Sequence, residues 1–265
     1  MTQINKFAYV DPQAKIGQDV TIDAFAYIDK NVEIDDGCHI HPHASILSGA
    51  RLGKNNEVFE NAIISAMPQD FRWKGEDSYV IIGDNNKIRE QVIINRGILK
   101  ESATKIGNNS FIMAQTHIGH DSEIGNSCVL GNAVKIAGDV KIGDHTILSS
   151  NAMVHEKNHL GEWVLIKGGC RVNGNVPPFA VMAHNPIVYF GVNSFLLKKA
   201  AGIEDAIIDD IAKCYRHVYQ TDTSINNALR RIKEYVEPSS QKDIIIAFIE
   251  GHNLKLAALP LKDID

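Results

Sequence analysis

Aliphatic residues recur at every sixth position of the chain, from Val10 to Val172. Of the 28 positions in this phase, 25 are Ile, Leu or Val, whereas roughly 7 would follow from ordinary composition. The exceptions are Asp70, Glu76 and Lys100. A helix has a period of 3.6 residues and a simple strand a period of 2, so neither element alone explains a period of six. A short strand followed by a turn, repeated many times, does explain it.

Hexapeptide repeats of this kind are typical of a parallel β-helix. Each hexad would form one side of a prism with its aliphatic residue inside, and about three hexads would make a coil of roughly 18 residues. Residues i and i+18 should therefore stack, over about nine coils. Glycine often follows the inward residue, and asparagine or aspartate is frequent in the turns. These residue types tolerate positive φ at tight corners. An ordinary β-sandwich would not hold the phase for so long.

Two segments interrupt the phase. Residues 65–79 are polar and aromatic and contain Pro68 and Gly75, and residues 95–104 form a second, shorter interruption. We predict that both leave the coil as loops. Loops on a rigid scaffold are where binding residues concentrate.

The period changes in the last third of the chain. The hexad phase ends at residues 175–178, and from about residue 194 the apolar residues follow helical spacing. This spacing covers 203–218 and 225–236, and Ser240 with an acidic residue three positions later predicts the start of a third helix.

The expected fold is mainly β, with a C-terminal helical part. We predict a parallel β-helix domain over residues 1–192 and a C-terminal α-helical domain over residues 193–265. A chain of 265 residues has room for this division. An aliphatic prism also needs few aromatic side chains, which make up 7% of the residues.

Charge and composition exclude several classes of protein. The net charge is −5, and neither half of the chain is basic, so we expect no nucleic-acid partner. No apolar run approaches the roughly 18 residues of a membrane span, and the N-terminus does not resemble a signal peptide, so no stable membrane insertion is expected. The four cysteines form no C-x-x-C pair, which favours reduced thiols in the cytoplasm. They are Cys38, Cys128, Cys170 and Cys214.

The densest group of candidate catalytic residues runs from Thr116 to Asp121. His117 and His120 flank the inward Ile118, so both should lie near the coil surface. Histidine can take a proton near neutral pH, and an adjacent carboxylate can fix its tautomer. From the residues alone, His120 could be a catalytic base, a metal ligand or a surface residue. Stacking would bring further groups to this face, namely Gly138, Asp139, His155, Glu156 and Lys157.

A second histidine group lies near the N-terminus. His39, His41 and His43 alternate along the chain and could share one face. Such runs could bind a metal, but on exposed coils they are more often solvated turns.

The hexads, the His-x-x-His-Asp segment and the two loops together resemble a known family. It is the acyl-[acyl-carrier-protein]–UDP-N-acetylglucosamine O-acyltransferases, which begin lipid A biosynthesis. The resemblance covers essentially the whole chain in order. The matching segments are Pro68-Gln69-Asp70, Lys74-Gly75-Glu76, Ile88-Arg89-Glu90, Asn95-Arg96-Gly97, Thr116 to Asp121, Gly168-Gly169-Cys170, Val176-Pro177-Pro178 and Phe190-Gly191-Val192-Asn193.

The resemblance implies a left-handed β-helix and a homotrimer with active sites between subunits. It implies that His120 is the general base that takes the proton from the 3-hydroxyl of UDP-N-acetylglucosamine. That hydroxyl would attack a 3-hydroxyacyl thioester on acyl carrier protein. Asp121 would orient the imidazole, and the Gly138 amide would stabilise the oxyanion. No metal, no cofactor and no covalent enzyme intermediate are implied.

The resemblance also implies substrate-binding residues. Gln69, Asp70 and Arg72 would contact the sugar nucleotide or the acyl group. His117 and His155 would line the cleft, and Asp139 and Glu156 are predicted to bind substrate beside them.

Further substrate residues are implied nearer the C-terminus. Asn193 would contact the nucleotide, and Gly168 would leave the end of the acyl groove open. Beyond Asn193 the chain departs from the family, because Lys198 and Lys199 stand in a segment where the family has a basic run with arginine. Lysine is a point charge and does not replace the bidentate contact of arginine with phosphate.

Two departures lie beside the candidate base, and other functions stay open. Many family members have histidine where this chain has Asp139, and glutamine where it has Glu156. A diverged enzyme could instead N-acylate an amino sugar. A trimeric β-helix metalloenzyme could hold a metal with His117 and His120. A non-catalytic β-helix could bind a nucleotide sugar without turnover.

Overall fold

The hexads form a continuous parallel β-helix in the computed structural model, which describes residues 1–221, 223–253 and 255–258. Over these described residues, three sheets of 11, 9 and 8 strands make its walls. We call them sheets A, B and C, and the chain visits them in that order in each coil. No helix within the described ranges is long and apolar enough to cross a membrane.

The strand bounds follow the hexads closely. Sheet A contains β1 Gln3–Ile4, β4 Thr21–Ile22, β7 His39–Ile40, β10 Glu57–Val58, β13 Lys87–Ile88, β16 Phe111–Ile112, β19 Val129–Leu130, β22 Ile147–Leu148, β25 Leu165–Ile166, β27 Ala180–Ala183 and β28 Val188–Val192. Sheet B contains β2 Tyr9–Val10, β5 Tyr27–Ile28, β8 Ser45–Ile46, β11 Ile63–Ala66, β14 Ile93–Asn95, β17 His117–Ile118, β20 Lys135–Ile136, β23 Met153–Val154 and β26 Arg171–Val172. Sheet C contains β3 Lys15–Ile16, β6 Glu33–Ile34, β9 Ala50–Leu52, β12 Tyr79–Ile82, β15 Ala103–Ile106, β18 Glu123–Ile124, β21 Lys141–Ile142 and β24 His159–Leu160.

The inward aliphatic residues fill the prism. Ile40, Ile94, Ile118 and Leu148 have no exposed surface, and each stacks on its counterparts in the coils before and after it. Complete burial of such a side chain contributes roughly 1.5–3 kcal/mol relative to exposure. The repeated column explains why the sequence keeps its phase so strictly.

The predicted stacking of residues i and i+18 holds only where no loop intervenes. Leu130 pairs with Leu148, which is three hexads further along the chain. Ile64 pairs with Ile94, which is five hexads further, because the first loop adds two hexads to its coil. Ile94 pairs with Ile118, which is four hexads further, because the second loop adds one. Both loops add whole hexads, so the inward column continues on the far side.

The prediction that the recurrent glycines supply positive φ at the corners is wrong. The prediction for asparagine and aspartate is confirmed at several corners, such as Asn109 with a φ of 57° and Asp121 with a φ of 56°. The glycines allow close approach of the next coil instead. A Cβ on Gly125 would lie 2.3 Å from Oδ1 and 2.8 Å from the amide nitrogen of Asp144, nearer than real Cβ atoms come to such groups.

Within the described part of the chain, four helices follow the last coil. They are α1 Ser194–Lys199, α2 Asp205–Tyr219, α3 Ile225–Tyr235 and α4 Ser240–Gly251. Ser224 caps α3, since its hydroxyl accepts a hydrogen bond from the amide of Asn227 at 3.3 Å. The third predicted helix is capped by Ser239 rather than Ser240, and the Ser239 hydroxyl accepts from the amide of Lys242 at 3.2 Å. A serine at the N-cap satisfies an amide that the first helical turn leaves free.

The end of the helical segment returns to the coil. Asn175 Nδ2 donates to the carbonyl of Lys255 at 2.8 Å, and the amide of Ala257 donates to the carbonyl of Asn175 at 2.7 Å. The division into domains 1–192 and 193–265 stays a prediction. Its last residues, 259–265, lie outside the described ranges.

Two histidines are in contact at this junction, and they should make the stability of the fold sensitive to acid. His159 Nδ1 lies 2.6 Å from His252 Nε2, and His252 Nδ1 donates to the carbonyl of Phe248 at 2.6 Å. Burial, and secondarily the neighbouring His252, lowers the pKa of His159 to about 4. An unfolded histidine has a pKa of about 6.5, so the neutral form is the one that folding favours. This contribution is present above about pH 6.5 and is lost as the pH falls towards 4.

We expect the stability of the protein to fall between pH 7 and pH 4 by at most about 3 kcal/mol from His159 alone. His159→Gln keeps a donor towards His252 but cannot titrate, so its stability should depend less on pH. Unfolding by urea, followed by circular dichroism at several pH values, measures the difference between the two proteins. Parallel pH profiles for wild type and variant would contradict this assignment.

Candidate active site

The candidate site lies at the corner where successive coils pass from sheet B to sheet C, which we call the B–C corner. The two loops, residues 67–78 and 96–102, leave the coil at this corner. The next two coils place residues 119–122 and 137–140 there. Parallel pairing of β11, β14, β17 and β20 therefore stacks both loops on the segment that contains the candidate base.

His120 is almost enclosed at this corner and is only 7% exposed. Its Nδ1 lies 3.0 Å from Oδ2 of Asp121. Because a carboxylate only accepts hydrogen bonds, we assign the proton to Nδ1, which leaves the lone pair of Nε2 free. Oδ2 of Asp121 also accepts from the amide of Ile98 at 3.0 Å. The second loop thus holds the carboxylate of Asp121, which in turn orients the imidazole of His120.

The first loop brings an ion pair to the other nitrogen of the ring. Asp70 Oδ2 lies 3.4 Å from His120 Nε2. Arg72 holds this carboxylate by its Nε at 3.0 Å and its Nη2 at 2.9 Å, and its own amide donates as well. These hydrogen bonds from Arg72 hold the pKa of Asp70 well below its usual range. Asp70 is therefore a carboxylate at any ordinary pH, and an imidazolium at His120 would lie between two negative charges.

The lack of a side chain at Gly138 leaves room for the imidazole of His120. A Cβ at residue 138 would lie 2.3 Å from Nε2 and 2.4 Å from Cε1 of His120, so the ring rests directly on the glycine backbone. Within the described ranges, the Gly138 amide has no hydrogen-bond acceptor. An amide donor beside a potential base is the arrangement that an oxyanion needs.

His117 and Lys135 occupy neighbouring coils on the outer face of sheet B. They are paired in register in β17 and β20. Burial, with a smaller effect of Lys135, lowers the pKa of His117. His117 is therefore neutral near pH 7, and one of its ring nitrogens donates a hydrogen bond while the other accepts one.

An open cleft of about 580 Å³ joins these groups. Half of the predicted site residues line it. Its lining includes Gln69, Asp70, His117, His120, Gly138, His155 and Glu156.

One part of the site has a donor set that suits a cation. Ligand atoms of His120, Asp121 and Asp139 lie within 4.8 Å of one another. The Nδ1 atom of His120 is, however, already bonded to Asp121. The arrangement therefore suits an oriented base as well as it suits a metal ligand.

Sequence analysis gave no role to two residues that build this site. Asn95 lines the cleft, and its Nδ2 donates to the carbonyl of Met67 at 2.7 Å, which ties down the first loop. A Cβ on Gly97 would lie 2.7 Å from Oδ1 of Asp121, so glycine makes room for the orienting carboxylate. The break in the hexad phase at residues 95–104 was the available signal for both.

Family models match successive parts of the chain. A model of UDP-N-acetylglucosamine O-acyltransferase domain 2 matches residues 175–256. The bacterial transferase hexapeptide model matches residues 103–138 and 122–156. A model of the GMPPB C-terminal domain matches residues 4–101.

Relatives match along nearly their full length. The acyl-[acyl-carrier-protein]–UDP-N-acetylglucosamine O-acyltransferase of Myxococcus xanthus is 35% identical over 251 residues, which are 94% of this chain and 97% of the relative. That of Aliarcobacter butzleri is 36% identical over 234 residues, 88% of this chain and 89% of the relative. The chain belongs to this acyltransferase family.

A solved structure extends the match to three dimensions. The UDP-N-acetylglucosamine acyltransferase from Bacteroides fragilis has a TM-score of 0.92 and 39% identity, covering 97% of this chain and 99% of that chain. The predicted left-handed β-helix with a C-terminal helical region is therefore confirmed.

Seven predicted site residues do not line this cleft. Arg72, Asp121 and Asp139 lie beside it, next to Asp70 or His120.

The other four lie elsewhere within one chain. Gly168 lies exposed at a different corner, between sheets A and B. Asn193 is 4% exposed, and its Nδ2 donates to the carbonyl of Trp163 at 2.9 Å. Lys198 pairs with Asp205 at 2.7 Å.

The fourth residue, Lys199, is exposed in the last turn of α1. A substrate role for these four residues stays a prediction.

Proposed function

We propose that this acyltransferase transfers a 3-hydroxyacyl group from acyl carrier protein to the 3-hydroxyl of UDP-N-acetylglucosamine, the first step of lipid A biosynthesis. The observation that carries the proposal is the His120 imidazole, which is held by Asp121 with Nε2 against the Gly138 backbone. The names of the relatives supply the substrates.

The reaction balances with this chain's own groups. His120 Nε2 takes the proton of the sugar hydroxyl while the oxygen of that hydroxyl attacks the thioester carbonyl carbon. The carbonyl π electrons move onto oxygen, and the Gly138 amide donates to that oxyanion. The oxyanion then collapses and the C–S bond breaks. The departing thiolate takes the proton from the His120 imidazolium, and no covalent enzyme intermediate forms.

The two carboxylates beside His120 favour this proton transfer. Asp121 fixes the tautomer, and Asp70 places a second negative charge near Nε2. Both stabilise the imidazolium of the transition state more than the neutral ring of the ground state, which is what lowers a barrier. Gln69, Arg72, His117, His155 and Glu156 would contact the substrates around this centre.

We further propose a homotrimer in the cytoplasm. Phe111, Val129, Ile147 and Leu165 stack in register on the outer face of sheet A and stay half-buried. A neighbouring copy would cover this apolar row. Gly168, Asn193, Lys198 and Lys199 would then contribute to a cleft shared between subunits. The four cysteines are free thiols, which suits a reducing compartment.

An acyl-transfer assay tests the proposed function. The protein is offered 3-hydroxyacyl carrier protein of several chain lengths with UDP-N-acetylglucosamine, or with its analogue that carries an amine at C3. We expect an ester product, detected by mass spectrometry and cleaved by mild base. Transfer to the amine alone would contradict the proposal and identify an N-acyltransferase. Binding in calorimetry without turnover for any donor would identify a non-catalytic protein.

A further inference from the structure

The N-terminal coils carry a second cluster of histidine and carboxylate side chains, several coils before the candidate active site. His39 and His41 flank the inward Ile40 in β7, so both side chains project outward from the same side of the coil. Asp23 lies on the coil before them, and Glu57 begins the strand that pairs with β7 on the coil after them. The catalytic mechanism uses none of these residues.

The side chains of this cluster are in direct contact. The two imidazole rings are stacked, with centroids 3.9 Å apart. His39 Nε2 lies 2.7 Å from Asp23 Oδ2, and His41 Nε2 lies 3.2 Å from Glu57 Oε1. A third carboxylate, that of Glu60, lies 3.9 Å from His41 Nδ1. One ligand atom from each of Asp23, His39 and His41 falls within 4.8 Å of the others.

Charge at the cluster is unbalanced. It gathers three carboxylates, and the ammonium of Lys87 pairs with Glu57 at 3.3 Å. Arg89, the nearby guanidinium, is held by Glu90 at 2.6 Å and lies over the ring of Phe59. With neutral imidazoles, Asp23 and Glu60 leave an excess of negative charge that a divalent cation would offset.

We propose that Asp23, His39 and His41 form a binding site for a divalent transition-metal ion, with Zn²⁺ as the probe. Two imidazoles and a carboxylate are ligands that suit zinc, nickel and copper, whereas magnesium and calcium prefer oxygen alone. Glu57 lies at Nε2 of His41 and Glu60 at Nδ1, so one of them can orient the ring through the nitrogen that does not bind the metal, as outer carboxylates do for metal-bound histidines. The parallel strands hold the ligands on two consecutive coils, so binding would cross-link the N-terminal end of the prism. Side-chain exposures of 34% for Asp23, 38% for His39 and 16% for His41 leave an entry path.

Zinc titration by calorimetry tests this site, using full-length protein without an affinity tag after treatment with a chelator. We expect saturable binding of one Zn²⁺ per chain and a rise in the unfolding temperature by mass action. His39→Gln and His41→Gln should each weaken binding by about tenfold or more and abolish the rise in temperature. Circular dichroism checks that both variants are folded.

His43→Gln is the matched control. His43 belongs to the same run, but it lies at the next corner, where its ring stacks on Phe25 at 5.1 Å, and its loss should leave zinc binding unchanged. His120→Asn is a second control, because it removes the imidazole of the other candidate cluster. Absence of saturable binding to the wild-type protein would overturn the proposal. Binding that survives both glutamine variants, or that disappears in His120→Asn, would overturn it as well. None of these outcomes bears on acyl transfer.

Discussion

Replacement of His120 by asparagine should lower kcat for acyl transfer by about 10²- to 10⁴-fold, the usual contribution of a general base. Asparagine can still donate a hydrogen bond to Asp121, but it cannot take a proton at the position of Nε2. Steady-state kinetics with acyl carrier protein and UDP-N-acetylglucosamine measure the effect. The KM values should change much less than kcat, because the lost interaction forms mainly in the transition state.

His145→Asn is the matched control for this experiment. His145 also lies at a corner of the prism, but its ring stacks on Trp163 with centroids 4.1 Å apart and faces no part of the cleft. Its variant should keep wild-type kinetics. Nearly normal turnover in His120→Asn would show that another group accepts the proton.

Gly138→Ala should abolish most of the activity and leave the fold intact. The new Cβ would lie 2.3 Å from Nε2 of His120, so the ring has to move away from the backbone amide that it rests on. Displacement of a catalytic group by about 1 Å can cost about 10²-fold in rate. The atoms it would strike belong to the end of a side chain rather than to backbone, so we expect the unfolding temperature to change little.

Two other glycines serve as controls for this result. Gly251→Ala, where a Cβ meets no atom within 4 Å, should keep the activity and should not lower the stability, since alanine favours a helix more than glycine does. In Gly125→Ala the Cβ would meet the backbone of the next coil, so stability should fall. Gly138→Ala with normal kcat, or with a cooperative unfolding transition lost altogether, would contradict the proposed position of the ring.

The hexad phase was enough to predict the sheets of this protein, because every coil repeats the same physical requirement. An inward position must be aliphatic and a corner must turn, so Ile94 and Ile118 could be assigned without any structure. The breaks at Asp70 and Lys100 located both loops for the same reason. The role of the recurrent glycines could not be predicted, because glycine is favoured both where φ is positive and where the next coil approaches closely. The sequence alone does not distinguish these two requirements.

Much of the candidate site was also visible in the sequence, but its contacts were not. Adjacency made the pair of His120 and Asp121 evident, and the stacking of successive coils brought in Gly138. The contact of Asp70 with His120 depends on how the first loop folds back over the corner, and nothing in the local pattern specifies that path. Asn193 is equally instructive, since a residue implied to bind substrate is buried against the carbonyl of Trp163.

The two loops lengthen their coils by two hexads and by one hexad, and this has a consequence for how such a protein can change. The six-residue spacing determines which side chains point into the interior. Adding or deleting one hexad at a corner leaves every later aliphatic side chain inside, whereas one extra residue within a strand would turn the aliphatic side chain of that strand towards the surface. Evolution can therefore lengthen, shorten or exchange the segments over the catalytic corner in steps of one hexad and alter substrate choice without rebuilding the prism.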